Sequence, residues 1–475
     1  MCAWLHQIVA AFTLFAGCSA APAAEPRAEL PGPARLNFVF VLADDLGWTD
    51  LGCMGSDLYE TPHIDRLAAE GVRFTSACSA CTVCSPTRAA ILTGKYPARL
   101  HLTDWIPGHE RPRAKLRIPE WTQYLPREEV TVAEVLKGAG YATASIGKWH
   151  LGGREFWPES QGFDVNKGGC ERGQPPSYFS PYKIPTLEDG PAGEYLTDRE
   201  ASEACRFIEK NRDKPFFLYL PHHAVHMPLQ AKEAAIEECR GRVKAGMRHT
   251  NPTYAAMIRS LDESVGRIAA KLAELKLSDR TAIVFTSDNG GLLGNARSPV
   301  TSNVPLRAGK GSSYEGGVRV PLIVKWPGVA PAGAVCDEPV ISVDFYPTIL
   351  EMASVKGKHD EAVDGTSLVP LLRNPKENLS RDSIYWHYPH YHPGGATPYG
   401  AVRQRDWKLI EFYEDMHVEL YRIGADIGEK KDLSEEMPEK RDELRKALHE
   451  WRKRVGAQMP VANPDFVPEG ASERP

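Results

Sequence analysis

Four short, almost wholly apolar runs, each breaking off in a polar cluster, constrain this chain more than any other feature of its sequence. Residues 36–42 lead into Asp44-Asp45, and residues 141–146 into Gly147-Lys148-Trp149-His150. Residues 216–220 lead into His222, His223 and His226, and residues 281–286 into Ser287-Asp288-Asn289-Gly290. Segments this short and this apolar read as strands buried on both faces. Between them, 131–139 and 254–275 carry apolar residues at helical spacing: Val132, Val135 and Leu136 in the first, and Ile258, Leu261, Val265, Ile268 and Leu272 in the second. The alternation predicts an α/β fold: a large mixed, mostly parallel sheet sandwiched by helices. In such sheets ligands bind beyond the carboxyl ends of the strands, so all four polar clusters are expected to meet there.

Composition narrows the functional classes. The 475 residues are 42 % hydrophobic and 25 % charged with a formal net charge of -5, a globular balance that argues against nucleic-acid binding. Residues 1–24 read as a secretory signal, which predicts export to the periplasm, to the outer membrane as a lipoprotein, or to the medium. Ala16-Gly17-Cys18 also fits a lipoprotein cleavage site, making Cys18 a candidate lipid anchor. Residues 25–35 read as a tether, 36–375 as the catalytic domain, and 461–475 as a tail that is Pro-rich from Met459 onward. Over 376–460 the alternation at 407–412 and 418–421 and the stripe Leu444, Leu448, Trp451, Val455 predict a smaller domain with a short antiparallel sheet and a helix.

The sharpest local motif is Cys84-Ser85-Pro86-Thr87-Arg88, followed by Ala89-Ala90-Ile91-Leu92-Thr93-Gly94. Ser85 suits a helix N-cap, Pro86 the first helical position and Gly94 the stop. Cys84 would then sit where free backbone N–H groups favour an anion, with Arg88 one turn further in. The spacing of Cys78, Cys81 and Cys84 also invites a metal-cluster reading, but Arg88 stands where a fourth cysteine would be expected.

The Cys84–Gly94 stretch resembles the signature of type I sulfatases, members of the alkaline-phosphatase-like superfamily. The resemblance extends to Ala43-Asp44-Asp45-Leu46-Gly47, Gly147-Lys148-Trp149-His150-Leu151-Gly152, Ser287-Asp288-Asn289-Gly290, Gly309-Lys310-Gly311 and residues 314–321, in the family's order. It implies that a separate formylglycine-generating enzyme oxidises Cys84 to formylglycine. It also implies that Asp44, Asp45, Asp288 and Asn289 hold one Ca2+ together with an oxygen of the modified Cys84, and side-chain oxygens do suit a hard cation. By the same resemblance, Arg88, Lys148 and Lys310 clamp the sulfate oxygens. His150 handles the proton of the formylglycine hydrate, and His226 serves the leaving oxygen. His222 and His223 are the competing assignments for that last role.

The chemistry explains the modification. Of the two hydroxyls on a hydrated aldehyde, one attacks sulfur; the other then loses its proton and expels sulfate, which a serine could not do. The expected substrate is a sulfated carbohydrate, with galactose and N-acetylgalactosamine sulfates suggested by residues 161–164 and 193–198. The run from Tyr385 to His392 reads either as an aromatic wall beside the pocket or as packing between domains, and Asp104-Trp105 as a sugar contact. A phosphatase of the same superfamily and a silent sugar-binding protein are the rival readings. The first would more often carry Ser or Thr and two metals. The second need not keep the full set of site residues.

Overall fold

The computed structural model describes Met1, residues 35–355 and residues 362–468. The signal, Cys18 and most of the tether lie outside the described residues. The four apolar runs become β1 (Asn37–Ala43), β3 (Ala142–Ile146), β5 (Phe216–Pro221) and β6 (Thr281–Ser287). With β2 (Val72–Phe74), β4 (Val165–Lys167), β7 (Leu322–Lys325) and β8 (Ala334–Cys336) they form one eight-stranded sheet in the order β8-β2-β7-β6-β1-β5-β3-β4. The block from β6 to β4 is wholly parallel, with Phe40 opposite Tyr219 on one side and Val284 on the other. Only β7 runs antiparallel to both of its neighbours.

Both faces of the sheet are buried, which is why these strands show no polar alternation. Val39 and Val41 point into one core with Ile258, Leu261 and Val265 of the helix Pro252–Glu274. Phe38, Phe40 and Leu42 point into the other with Ala89 and Ile91, which follow Cys84, and with Val132 and Leu136 of the helix Val132–Gly138. The latter helix opens on a capping box, Thr131 with Glu134, and the former on Asn251, which accepts the Tyr254 N–H.

The second sheet is antiparallel: β9 (Ile384–Tyr388), β10 (Tyr399–Gln404), β11 (Trp407–Phe412) and β12 (Val418–Arg422), with the helix Pro438–Val455 laid on it through Leu444, Leu448 and Trp451. The aromatic run is mostly packing. Tyr385 stacks on Trp451 at 4.8 Å, Trp386 donates to the Ser79 carbonyl and Tyr388 donates to Asp104. Asp104 is thus tied into this packing. It is buried, and loss of water pushes its carboxyl up to about 7. No described helix is long and apolar enough to cross a membrane.

Candidate active site

The helix at the motif runs from Cys84 to Thr93, two residues earlier than the N-cap reading of Ser85 expects. Val83 takes the cap position without a side-chain bond. The Ser85 hydroxyl is used elsewhere: it donates to the His150 carbonyl at 2.9 Å and accepts the Ile106 N–H at 3.2 Å. It ties the motif helix to the loop that carries His150. Gly94, at φ 69°, ends the helix as expected.

The carboxyl ends of β1, β3, β5 and β6 deliver the four polar clusters to one place. Donor atoms of Asp44, Cys84 and Asp288 lie within 4.8 Å of one another, as do those of Asp44, Asp45 and His226. Three cations face these three carboxylates. Arg88 places Nε and Nη2 on Asp288 Oδ2 at 2.9 and 2.7 Å, and donates from Nη1 to the Lys148 carbonyl. Lys148 Nζ lies 2.8 Å from Asp44 Oδ2, and Lys310 Nζ 2.6 Å from Asp45 Oδ1. Arg88 is thus committed to Asp288 and the Lys148 backbone, where it positions a carboxylate. Lys310, with 10 % of its side chain exposed, is the cation nearest solvent of the three.

Local backbone explains how these groups converge. Gly147 has φ 118°, and a Cβ there would fall 2.1 Å from the Pro221 carbonyl oxygen; only glycine lets the chain turn Lys148 inward. Asp45 and His150 hold φ 63° and 61°, a left-handed conformation costly to branched or bulky side chains and frequent at functional sites.

The histidines separate cleanly. His222 and His223 place Nδ1 on the two oxygens of buried Glu200 at 2.5 and 2.6 Å, and His222 Nε2 meets Ser264 Oγ. Both are structural. His226 donates from Nδ1 to the Met227 carbonyl, which leaves Nε2 facing Asp45 Oδ2 at 3.6 Å. Burial, then Lys310 and Lys148, bring His226 down to about 3 against the pull of Asp45. Its side chain is 14 % exposed. His150 donates from Nε2 to the Ile106 carbonyl, leaving Nδ1 buried without a hydrogen-bond partner among the described residues. Burial first, and Lys148 second, hold that ring neutral, so Nδ1 is a proton acceptor waiting for a donor.

Two further groups bear on the site: Tyr178, which nothing in the sequence singles out, and His392, the last residue of the run read as wall or packing. The Tyr178 hydroxyl lies 2.5 and 2.9 Å from the carbonyl oxygens of His223 and His226 and fixes that loop. His392 alone of the aromatic run reaches the site: a Cβ on Gly311 would fall 1.8 Å from its Nδ1. Burial and the Lys310 ammonium bring His392 down to about 4.

The donor set fits a hard cation. Asp44 Oδ1 and Asn289 Oδ1 are buried without hydrogen-bond partners. Burial and the nearby Asp44 raise Asp288 to about 6 even with Arg88 in contact, so the pair calls for more positive charge. Burial raises the Cys84 thiol although Lys148 and Lys310 pull the other way, so this thiol is no ready nucleophile. Among the described residues Cys78 and Cys81 belong to no such ligand group, and with them the metal-cluster reading lapses. Replacing Arg88 by Lys keeps one charge but loses the two-pronged hold on Asp288. We expect retained metal and turnover to fall about 10–100-fold, read by metal analysis and by sulfate release.

Comparison with known proteins agrees with this geometry. Residues 36–355 match the Sulfatase family and residues 309–455 the family N-sulphoglucosamine sulphohydrolase, C-terminal. The chain is 35 % identical over 423 residues to N-acetylgalactosamine-6-sulfatase of Sus scrofa, covering 83 % of this chain and 75 % of that one. It is 31 % identical to a sulfatase of Formosa agariphila, covering 85 % of each. The crystal structure of Ps i-CgsB in complex with k-i-k-neocarrahexaose superposes with a TM-score of 0.75 at 30 % identity, over 92 % of this chain and 95 % of that one. The Sulfatase match over residues 36–355 and these identities along most of the chain, with a cysteine-led helix set among three carboxylates and three cations, place the chain in the sulfatase family, as a sulfuric ester hydrolase.

Proposed function

We propose that the chain removes sulfate from a sulfated carbohydrate carrying galactose or N-acetylgalactosamine, with Cys84 matured to formylglycine and a calcium ion beside it. One observation carries this reading: Cys84 opens its helix against Asp44 and Asp288, with Lys148, Lys310, His150 and His226 around them. The relatives support the sugar class, one being named for N-acetylgalactosamine 6-sulfate and another being solved with a neocarrahexaose. Export of the mature protein, with Cys18 as a lipid anchor, belongs to the same proposal.

Asp44, Asp45, Asp288 and Asn289 would hold the calcium ion, which supplies positive charge to the sulfate and to the oxygen at position 84. Formylglycine, as its hydrate, supplies an oxygen nucleophile with a second hydroxyl for release. The remaining work falls to the chain's own side chains. Lys310 and Lys148 offset negative charge on the sulfate oxygens, in a pocket where most side chains are shut off from water. His150 Nδ1 accepts a proton from the group at position 84. His226 Nε2, at the open edge of the site, faces the departing sugar oxygen, to which it can pass a proton once the negative charge of the bound sulfate has drawn a proton onto the ring.

Mass spectrometry of the peptide around Cys84 from the native host tests the maturation step: an aldehyde in place of the thiol is expected. A panel of sulfated mono- and oligosaccharides tests the substrate class by sulfate release, with phosphate release from phosphate-ester analogues as the counter-case. Exhaustive chelation is expected to lower turnover reversibly, with calcium restoring it. An unchanged rate with no bound metal would remove the four oxygen ligands from the reading.

A further inference from the structure

Two segments run from the active site into a single groove. One starts at Ile106, whose carbonyl holds His150, and continues through His109, Arg113 and Lys115. The other is the loop 391–397: His392 rests on Gly311 beside Lys310, while its neighbour Tyr391 and Thr397 face the groove. The groove has a volume of about 720 Å³, within the range of sites that hold small organic ligands.

Its walls are built rather than loose. Asn463 Nδ2 donates to the carbonyls of Pro112 and Ala114 at 2.9 and 2.7 Å, Asn463 N to that of Lys115, and Leu116 N to the Tyr391 hydroxyl oxygen. The backbone of the strap is thereby satisfied while the Arg113 and Lys115 side chains stand exposed. Of the two acids that line the groove, Glu414 accepts the Tyr391 hydroxyl at 2.6 Å and Glu110 stands exposed on the same segment as Arg113 and Lys115. Phe466 lines the same groove with its side chain 43 % exposed. An exposed ring suits the apolar face of a sugar, and clustered cations suit its sulfate or carboxylate.

We propose that this groove is a subsite for the neighbouring anionic sugar of a sulfated oligosaccharide, so that the enzyme reads a charged chain rather than a lone sulfated sugar. The inference rests on the sulfatase reading and adds to it where the rest of the substrate lies.

The test measures binding without turnover, on full-length protein carrying Cys84→Ala. Calorimetry compares galactose 6-sulfate with tetrasaccharides from ι-carrageenan and from chondroitin 6-sulfate. Adding Arg113→Ala and Lys115→Ala together is expected to weaken the better-bound tetrasaccharide about tenfold, to bring its affinity close to that of the monosaccharide, and to flatten its dependence on salt. Phe466→Ala is expected to weaken the same ligand independently. Melting curves identify any variant that fails to fold; Arg113→Gln with Lys115→Gln then replaces it. Unchanged tetrasaccharide affinity, or an equal loss for the monosaccharide, overturns the proposal. Failure of the parent reading looks different: matured wild-type protein would release no sulfate from any of the three, whatever the binding ratios.

Discussion

Cys84→Ala is expected to abolish sulfate release, by about a thousandfold or more, while the protein folds and melts as the parent does. The two halves of that expectation have separate physical grounds. Cys84 is buried at the first turn of its helix, but its sulfur faces the carboxylates of Asp44 and Asp288 rather than an apolar core. Removing one atom from a polar pocket leaves little apolar burial to lose. For catalysis the same atom is the point where maturation installs the nucleophile. No other group can take over: the Ser85 hydroxyl is bonded to the His150 carbonyl and the Ile106 N–H, and the Thr87 hydroxyl to the carbonyls of Cys81 and Val83. Steady-state sulfate release and thermal melting check the two halves. Cys84→Ser adds a sharper arm. It can accept a sulfuryl group but lacks the second hydroxyl, so mass spectrometry should find a sulfated enzyme that does not turn over. Near-parental release by Cys84→Ala would sink the assignment of position 84.

The sequence made the central strands and their polar ends legible because burial on both faces leaves no room for polar alternation in β1, β3, β5 and β6. Convergence of Asp44, Lys148, His226 and Asp288 then follows from parallel topology alone. What stayed hidden depends on partners far away along the chain. At 222–226 the sequence favours His226 only through the resemblance of its His-Met-Pro ending to the family motif; the physical reason lies on a different element, where Glu200 takes the other two histidines. Ser85 looks like an N-cap because its neighbours are right for one, yet His150 and Ile106 claim its hydroxyl. The resemblance makes Arg88 a clamp for sulfate oxygens, and only the folded chain shows its hold on Asp288 at 2.7 Å. The aromatic run reads equally well as a sugar wall, since Asp104, Ser79 and Trp451 supply its partners only in the folded state.

The largest stability effect is expected from Lys408→Met, which should cost about 3–5 kcal/mol at neutral pH. Lys408 is fully buried on β11 between Glu315 Oε1 at 3.0 Å and Glu429 Oε1 at 2.9 Å. Glu315 also receives Arg319 Nε at 2.7 Å on its other oxygen, so it retains a cation when Lys408 is gone. Among the described residues no second cation of that kind meets the Glu429 carboxylate; its other oxygen accepts the Glu315 N–H. Burial already raises its carboxyl against the pull of Lys408, with Glu315 adding to the rise. Removing the ammonium raises it further. A carboxyl raised in the folded state keeps its proton longer there than in the unfolded chain, so folding loses stability as pH climbs from the ordinary glutamate range through the raised folded value. The deficit of Lys408→Met should therefore shrink in mild acid and be full above that window, as denaturant midpoints across pH would record. Adding Glu429→Gln should recover part of it at neutral pH and remove most of the pH dependence. The network matters for function because Glu315 begins the short helix Glu315–Val318 that follows Lys310, and because Glu429 and Lys408 belong to the C-terminal sheet region. Loosening it releases the segment that holds Lys310 against Asp45 in the site, so turnover should fall along with stability. A variant with parental stability at every pH would show that the three charges contribute nothing net to holding the two sheets together.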